Sequence, residues 1–288
     1  MRKGQHMKQR RAVVRWSLVL GLLVFLASPA LAASHRFYLS LGTSLAAGVE
    51  PDRAGNDAPT NEGYADQLHQ LLKARDRKLQ LVKLGCPGET TATMISGGIC
   101  PYDAGSQLDQ AVAFLQANRG AVSLVTIDMG ANDLLSCADS DDIDVACIFD
   151  AFTSVAVNLP TILTQLRAAA GPSTPIVAMN YYNPFVAAWL QGPAGEALAS
   201  QSADLLAQFN GLLGEIYTDP SFAVRVGDVA RAFHAYDFRM VPVIGLPVNV
   251  VLVCQGTWMC TPPPLGPDIH PNRLGYFVIA LTLAAVLK

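Results

Sequence analysis

Short apolar runs alternate along the chain with longer amphipathic segments. Five runs have the length and the β-forming composition of strands buried on both faces: 37–41, 79–84, 122–129, 175–179 and 222–226. Helical spacing of apolar residues predicts helices over 63–73, from Ser106 onward, and over 148–169, 196–217 and 272–287. The inner face of the last helix is predicted to consist of Leu274, Phe277, Val278 and Leu281. The repeated alternation predicts an α/β fold, with one domain built on a doubly wound parallel sheet.

The first predicted strand ends at Gly42 and is followed by Thr43 and Ser44. Glycine permits a sharp turn from a strand into a helix. Ligands of open α/β sheets collect at the carboxyl edge of the strands, and a helix N-terminus offers free N–H groups to a developing anion. Ser44 is therefore a candidate nucleophile, although on this stretch alone a serine that only caps a helix is the favoured interpretation.

Three later motifs stand at corresponding places. Gly88 lies in GCPGETT after the second predicted strand, Asn132 in IDMGAND after the third, and His270 in DIHPN just before the closing helix. A serine, a glycine, an asparagine and a histidine in this order resemble the SGNH hydrolases, also called GDSL esterases and lipases, from about residue 37 to 287. The resemblance implies a flavodoxin-like sheet of order 2-1-3-4-5 and a carboxylic ester hydrolase that needs no metal or organic cofactor.

The resemblance also implies a role for each motif residue. Ser44 is expected to be the nucleophile and His270 the general base, because a serine hydroxyl attacks only when an imidazole takes its proton. The oxyanion hole is expected to consist of the backbone N–H groups of Ser44 and Gly88 and the side-chain amide of Asn132.

Two positions depart from the family pattern. Thr43 stands where the family usually has an acidic residue between glycine and serine, and Pro267 occupies the position that commonly carries the triad aspartate. Asp268 follows one residue later and is predicted to orient His270, with a backbone carbonyl as the alternative. Asp133 is predicted to brace its loop.

The N-terminus has the composition of a secretory signal. Several basic residues precede an apolar run over 16–26, and Ala30 and Ala32 form an A-x-A cleavage site. We expect residues 1–32 to be a signal peptide cut near Ala32, residues 33–288 to be the hydrolase domain, and the protein to be secreted. An uncleaved anchor is the alternative, but the run is short for a membrane span, so no stable span is expected.

The six cysteines form three couples that are close in sequence. In an oxidising compartment they are expected to pair locally: Cys86 with Cys100, Cys137 with Cys147, and Cys254 with Cys260. A metal site is the alternative, but the spacing of cysteines and histidines does not fit zinc. Each bridge is expected to hold a loop at the edge of the site. The acidic stretch 134–150 is interpreted as a solvated loop pinned by Cys137 and Cys147 rather than a calcium loop.

The net charge and the remaining apolar segment limit the kinds of substrate and partner that the sequence predicts. A net charge of -3 with 15% charged residues offers no basic field for nucleic acid. The expected substrate is a small-molecule, lipid or acylated-polysaccharide ester, and a monomer is expected. The apolar segment 240–253 is either the lining of an acyl groove or an ordinary buried connection. The alternative functions are a carbohydrate (acetyl) esterase and a non-catalytic surface-binding homologue, which would have been expected to lose Ser44, Asn132 or His270.

Overall fold

The computed structural model describes residues 37–137 and 144–287. Its central sheet has five parallel strands, numbered here in chain order: β1 (Phe37–Gly42), β2 (Gln80–Lys83), β3 (Val122–Asp128), β4 (Ile176–Met179) and β5 (Val224–Gly227). Their order in the sheet is β2-β1-β3-β4-β5, and every pairing is parallel. The predicted doubly wound sheet is therefore confirmed, with bounds that shift by a residue or two.

Helices follow the strands. They are α1 (Ser44–Ala47), α2 (Tyr64–Lys73), α3 (Thr91–Ser96), α4 (Gln107–Ala117), α5 (Ala131–Leu135), α6 (Val145–Ala170), α7 (Pro193–Tyr217), α8 (Val229–Ala232), α9 (Val248–Gly256) and α10 (Arg273–Ala285), with a 3-10 helix at Pro184–Gln191. The long ones match the predicted helices. The sequence pattern missed α3, α5, α8, α9 and the 3-10 helix. The first three have too few residues to give a periodic signal.

One continuous core joins sheet and helices. Tyr38, Leu39 and Leu41 of β1 are fully buried, and helices pack in neighbouring pairs, α2 with α10, α4 with α6, and α6 with α7. Within the described residues, α6 has the length and apolar composition to cross a membrane. Its buried side chains, including Val155 and Leu159, belong to this core.

The predicted inner face of α10 is wrong. Leu274, Phe277, Val278 and Leu281 were expected to face inward, but the buried residues are Gly275, Tyr276, Ile279, Ala280 and Leu283. Leu274, Phe277 and Leu281 are exposed. The helix is apolar on nearly all sides, so its pattern does not distinguish one face from another.

Two short antiparallel ribbons lie outside the sheet. The first, called here the rim ribbon, pairs Val49–Pro51 with Asp57–Pro59. The second pairs Met240–Val241 with Leu246–Pro247, and α9 follows it. Segment 240–253 thus divides into a ribbon with an exposed turn at 242–245 and the start of a helix that packs Val250 and Val253 into the core.

The three predicted disulfides are confirmed: Cys86–Cys100, Cys137–Cys147 and Cys254–Cys260. The described chain contains no free cysteine. The predicted signal peptide and its cleavage site lie outside the described residues, as does part of the predicted acidic loop, at 138–143.

Candidate active site

Ser44 begins α1 at the carboxyl edge of the sheet, directly after the turn that ends β1. Gly42 has φ +130, and a Cβ there would overlap the backbone and the carboxylate of Asp128. Only glycine suits that position, because glycine has no Cβ to clash and adopts a positive φ without strain. Thr43 is the N-cap of α1. The turn therefore presents Ser44 at the edge where the sheet can bind a ligand.

His270 lies on the loop before α10, close to the carboxylate of Asp268. Its Nδ1 is 2.9 Å from Asp268 Oδ1, and its backbone N–H donates to the same oxygen at 2.7 Å. Burial raises the pKa of Asp268, but the hydrogen bonds and charge of His270 outweigh it, and the net shift is downward. The structure thus places a carboxylate, and not a backbone carbonyl, at Nδ1, despite the shifted spacing.

Trp258 ties this loop to the disulfide-closed segment between Cys254 and Cys260. The backbone N–H of Trp258 donates to the carbonyl of His270 at 3.1 Å. The carbonyl of Trp258 accepts from the backbone N–H of Asp268 at 3.3 Å. From the other side, the Tyr182 hydroxyl donates to the carbonyl of Ile269 at 2.7 Å. The position of the imidazole is therefore set by contacts on both sides of its loop.

Asp57, on the rim ribbon, adds a second carboxyl group at the same imidazole. Its Oδ2 is 3.8 Å from His270 Nδ1. Burial, a hydrogen bond with Asp268 and the charge of Asp268 raise the pKa of Asp57. Oxygen and nitrogen atoms of Asp57, Asp268 and His270 lie within 4.8 Å of one another, a spacing that a metal ion also accepts. Nothing in the sequence around Asp57 distinguished it from the other polar residues of the rim.

The predicted oxyanion residues lie after β2 and β3. The Asn132 side-chain amide donates one hydrogen to the carbonyl of Glu89 at 2.9 Å, which leaves its second hydrogen for a ligand. Gly88 precedes Glu89 in an exposed turn and has φ +82. Gly130, at φ +112, opens the short helix that carries Asn132, and a Cβ there would press on the ring of Phe209.

Gln107, a fully buried residue at the start of α4, joins these parts from behind. Its amide accepts from Gly42 N at 2.7 Å and donates to the Gly42 carbonyl at 2.9 Å and to Glu89 Oε2 at 3.0 Å. One side chain thus connects the end of the nucleophile strand to the residue that holds Asn132. Sequence reasoning missed Gln107, because a polar residue in a first helical turn is ordinary.

Two aspartates behind the site have different partners. Asp133 accepts from the N–H and the hydroxyl of Thr91, at 2.9 and 2.6 Å, and so braces the start of α3. Asp128, the last residue of β3, accepts from Thr43 and Tyr64. Sequence reasoning missed Asp128. The available signal was a lone charged residue at the end of an otherwise apolar strand.

Ser44, Asn132 and His270 line one cavity of about 150 Å³. Most of its remaining wall is apolar: Leu134, Leu135, Ile148, Phe185, Leu198, Leu205, Leu206 and Phe209. No residue of 240–253 lines it, so of the two alternatives for that segment the structure favours an ordinary connection over the lining of an acyl groove. The side chains that do form the wall come from α5, α6, α7 and the 3-10 helix.

The geometry combines a hydroxyl, an imidazole with a carboxylate behind it, and amide donors around one cavity. In the described chain no hydrogen bond joins Ser44 to His270. Such bonds are often long in serine hydrolases without substrate and shorten when the substrate binds. The arrangement suits acyl transfer through a serine.

Comparisons with known proteins agree with this geometry. The model of the GDSL-like Lipase/Acylhydrolase family matches residues 40–277. No curated protein sequence matches the chain. Three crystal structures, each under 25% identical to the chain, show likeness of fold.

A phospholipase A1 from Streptomyces albidoflavus has a TM-score of 0.54 and 20% identity, over 88% of this chain and 100% of its own. An extracellular lipase from Streptomyces rimosus has a TM-score of 0.55 and 18% identity, over 87% of this chain and 99% of its own. A variant of an acetylxylan esterase from Geobacillus stearothermophilus has a TM-score of 0.52 and 13% identity, over 89% of this chain and 95% of its own.

Proposed function

Because the chain belongs to the GDSL-like lipase/acylhydrolase family and is thus a carboxylic ester hydrolase, we propose that it is a secreted serine esterase acting on esters of fatty acyl groups. Ser44 serves as nucleophile and His270 as base in this proposal. The acyl chain occupies the apolar cavity beside them. Secretion is supported by three disulfides, which persist in oxidising compartments, and by the signal-like composition of residues 1–32.

In the proposed reaction each residue of the site has one role. His270 Nε2 takes the proton of the Ser44 hydroxyl as its oxygen attacks the ester carbonyl, and Asp268 stabilises the imidazolium at Nδ1. The negative charge on the carbonyl oxygen is held by the N–H groups of Ser44 and Gly88 and the amide of Asn132. The imidazolium then protonates the leaving alkoxide. Water, activated by the same imidazole, releases the acid and restores Ser44.

The observation that carries the substrate class is the apolar wall of the cavity. Hydrophobic side chains make up most of this wall next to the catalytic residues, and the acetyl group of an acetyl ester would leave most of it uncovered. Each methylene buried there contributes about 0.8 kcal/mol, roughly a fourfold gain in affinity. Esters of medium and long acyl chains are therefore the better fit.

Hydrolysis of p-nitrophenyl esters from acetate through palmitate tests the proposal. We expect kcat/KM to rise by at least about tenfold from acetate to octanoate, since several methylenes enter the cavity. Ser44→Ala is the blank, and a serine-reactive phosphonate should label Ser44 alone. Fastest turnover of acetate would favour the carbohydrate acetyl esterase, and no hydrolysis of any ester would favour the non-catalytic homologue.

A pair of tryptophan variants locates the acyl chain. Leu206→Trp fills the cavity and should lower the octanoate-to-acetate ratio by about tenfold, because overpacking excludes the longer chain. Leu190→Trp is the matched control, since Leu190 is exposed and does not line the cavity. Equal ratios in the two variants would place the acyl chain elsewhere.

A further inference from the structure

Asp128 is a carboxylate buried directly behind the turn that carries Ser44. It is the register partner of Gly42 and has no exposed surface. Its Oδ2 accepts from the Thr43 N–H at 3.0 Å and from the Thr43 hydroxyl at 2.6 Å, and its Oδ1 accepts from the Tyr64 hydroxyl at 2.8 Å. One oxygen therefore holds both the backbone and the side chain of the residue before Ser44.

The described residues offer this carboxylate no cation. Its hydrogen-bond partners there are one backbone amide and two hydroxyls, and no ion pair of the described chain includes Asp128. Two other aspartates act on the same buried tyrosines as Asp128, Asp66 on Tyr38 and Asp133 on Tyr181. Asp66 pairs with Lys83, and Asp133 accepts hydrogen bonds from Thr91. An ionised carboxylate without a cation is costly to bury, so stability alone gives little reason to keep one here.

The surrounding elements contribute tyrosines. Burial, with the charge of Asp128 added to it, raises the pKa of Tyr38, Tyr64, Tyr181, Tyr182, Tyr217 and Tyr276. All of these phenols therefore stay neutral at physiological pH. Of the six, Tyr64 is the one that hydrogen-bonds to Asp128 in the described chain, and a neutral phenol does not neutralise the charge of the carboxylate.

We propose that Asp128 is a positioning residue for Ser44, acting through Thr43. By holding the Thr43 N–H and hydroxyl, it sets the orientation of the peptide that carries the Ser44 N–H, which is an oxyanion donor, and the direction of the Ser44 hydroxyl. It also offers a carboxylate beside position 43, where the family pattern has an acidic residue and this chain has threonine. The inference rests on the proposed function.

The stability lost by burying the ionised Asp128 carboxylate depends on pH. Burial raises the pKa of Asp128 to about 7, against the opposing hydrogen bonds of Thr43 and Tyr64. Between the ordinary aspartate pKa and about 7, the unfolded chain carries Asp128 ionised whereas the folded chain holds it protonated. Folding therefore binds a proton, and stability falls as pH rises through this window and stays lower above it.

Asp128→Asn separates positioning from simple structural support. Asparagine can still accept from Thr43 and can donate to the Tyr64 oxygen, so the variant keeps the bonds and removes the charge. At pH 8 we expect kcat for p-nitrophenyl butyrate to fall about tenfold with KM within about twofold, because charge-assisted bonds are roughly twice as strong as neutral ones. We expect Tm to rise by about 5 °C at pH 8, and the rise to shrink at pH 4.5.

Two further variants complete the experiment. Thr43→Val removes the hydroxyl from the same contact and should lower kcat by a similar factor, and its effect should not add to that of Asp128→Asn. Tyr64→Phe is the control, since it removes a bond to Asp128 without touching Thr43. It should lower Tm while kcat stays within about threefold.

Opposite signs of the kcat and Tm changes in Asp128→Asn support the inference. A kcat within threefold of wild type, or a joint loss of kcat and Tm at pH 8, overturns it, and additive effects of Asp128→Asn and Thr43→Val do the same. If Asp128→Asn does not fold, Thr43→Val decides by whether its kcat falls. A wild-type protein without esterase activity overturns both proposals, whereas an active wild type with an equally active Asp128→Asn overturns this one alone.

Discussion

At the scale of single residues, the shifted spacing before His270 is compensated in two ways. Asp268 reaches Nδ1 from a position two residues earlier, because the loop returns its carboxylate to both the backbone and the ring of His270. Asp57 brings a second carboxyl group to 3.8 Å from a ribbon distant in sequence. Two elements, the His270 loop and the rim ribbon, therefore bring carboxyl groups to the same imidazole.

Asp268→Asn should lower kcat by about a hundredfold. Neutralising the aspartate of a serine-protease triad costs about ten-thousandfold, and the smaller loss follows here because Asp57 still stabilises the imidazolium. Asp57→Asn alone should cost less than about fivefold. The double variant should be at least about tenfold worse than Asp268→Asn. Kinetics on p-nitrophenyl butyrate measure all three.

Asp133→Asn is the matched control for this series, because Asp133 contacts Thr91 and not His270. It should lower Tm by about 2–4 °C, as a loss of about 1 kcal/mol does in a protein of this size, and leave kcat unchanged. A double variant no worse than Asp268→Asn would remove Asp57 from the mechanism. Wild-type activity in Asp268→Asn, with a dead but stable Asp133→Asn, would mean that the wrong carboxylate was assigned.

At the scale of elements, the histidine loop depends on its neighbour. The segment closed by Cys254–Cys260 carries Trp258, whose backbone forms hydrogen bonds to both Asp268 and His270. An exposed loop of this length without such contacts would sample many conformations and hold the imidazole poorly. We therefore expect the disulfide to affect catalysis through these backbone hydrogen bonds, beyond its contribution to stability.

The variant Cys254→Ser/Cys260→Ser should lower kcat by about tenfold as well as Tm. The control is Cys137→Ser/Cys147→Ser, whose disulfide makes no hydrogen-bonded contact with the His270 loop in the described chain. Chain separations of 6 and 10 residues predict similar losses of stability, about 2 to 3 kcal/mol each. Thermal unfolding and kcat below both transitions separate the two effects. Equal kcat losses in both variants would show that the Cys254–Cys260 loop has no special role.

At the scale of the whole molecule, all six cysteines lie in disulfides and an apolar N-terminal run precedes the hydrolase domain. Both features fit the proposed secretion, because a signal peptide directs a chain to an oxidising compartment, where disulfides persist. They bear on how the mature protein must be prepared: reducing conditions would remove all three constraints on the loops around the site.

The mature protein should begin near Ala33 and contain no reactive thiol. Intact mass before and after alkylation without reductant should be identical, and should correspond to the chain without residues 1–32. Alkylation after reduction is the positive control and should add six groups, one per cysteine. Modification of two or more cysteines without reductant would contradict the disulfide set in solution, and a mass that includes the first 32 residues would contradict cleavage.

Sequence patterns alone determined the strands, the long helices, the family and the disulfide pairs. Strands of a parallel sheet are apolar throughout and bounded by glycine or polar turns, so each run is visible locally. Ser44, Gly88, Asn132 and His270 were recognisable because each follows a strand or precedes a helix within a motif. Local cysteine pairing was likewise visible from spacing once export was expected.

Only the tertiary structure decided which residues surround those motifs. Asp57, Gln107 and Asp128 are ordinary polar residues in sequence, and their contacts with His270, Gly42 and Thr43 arise between segments far apart in the chain. The inner face of α10 and the cavity wall were also decided there, because an apolar helix buries whichever face its neighbours cover. Periodicity reports how each segment alternates between polar and apolar residues, whereas packing determines which buried polar groups meet.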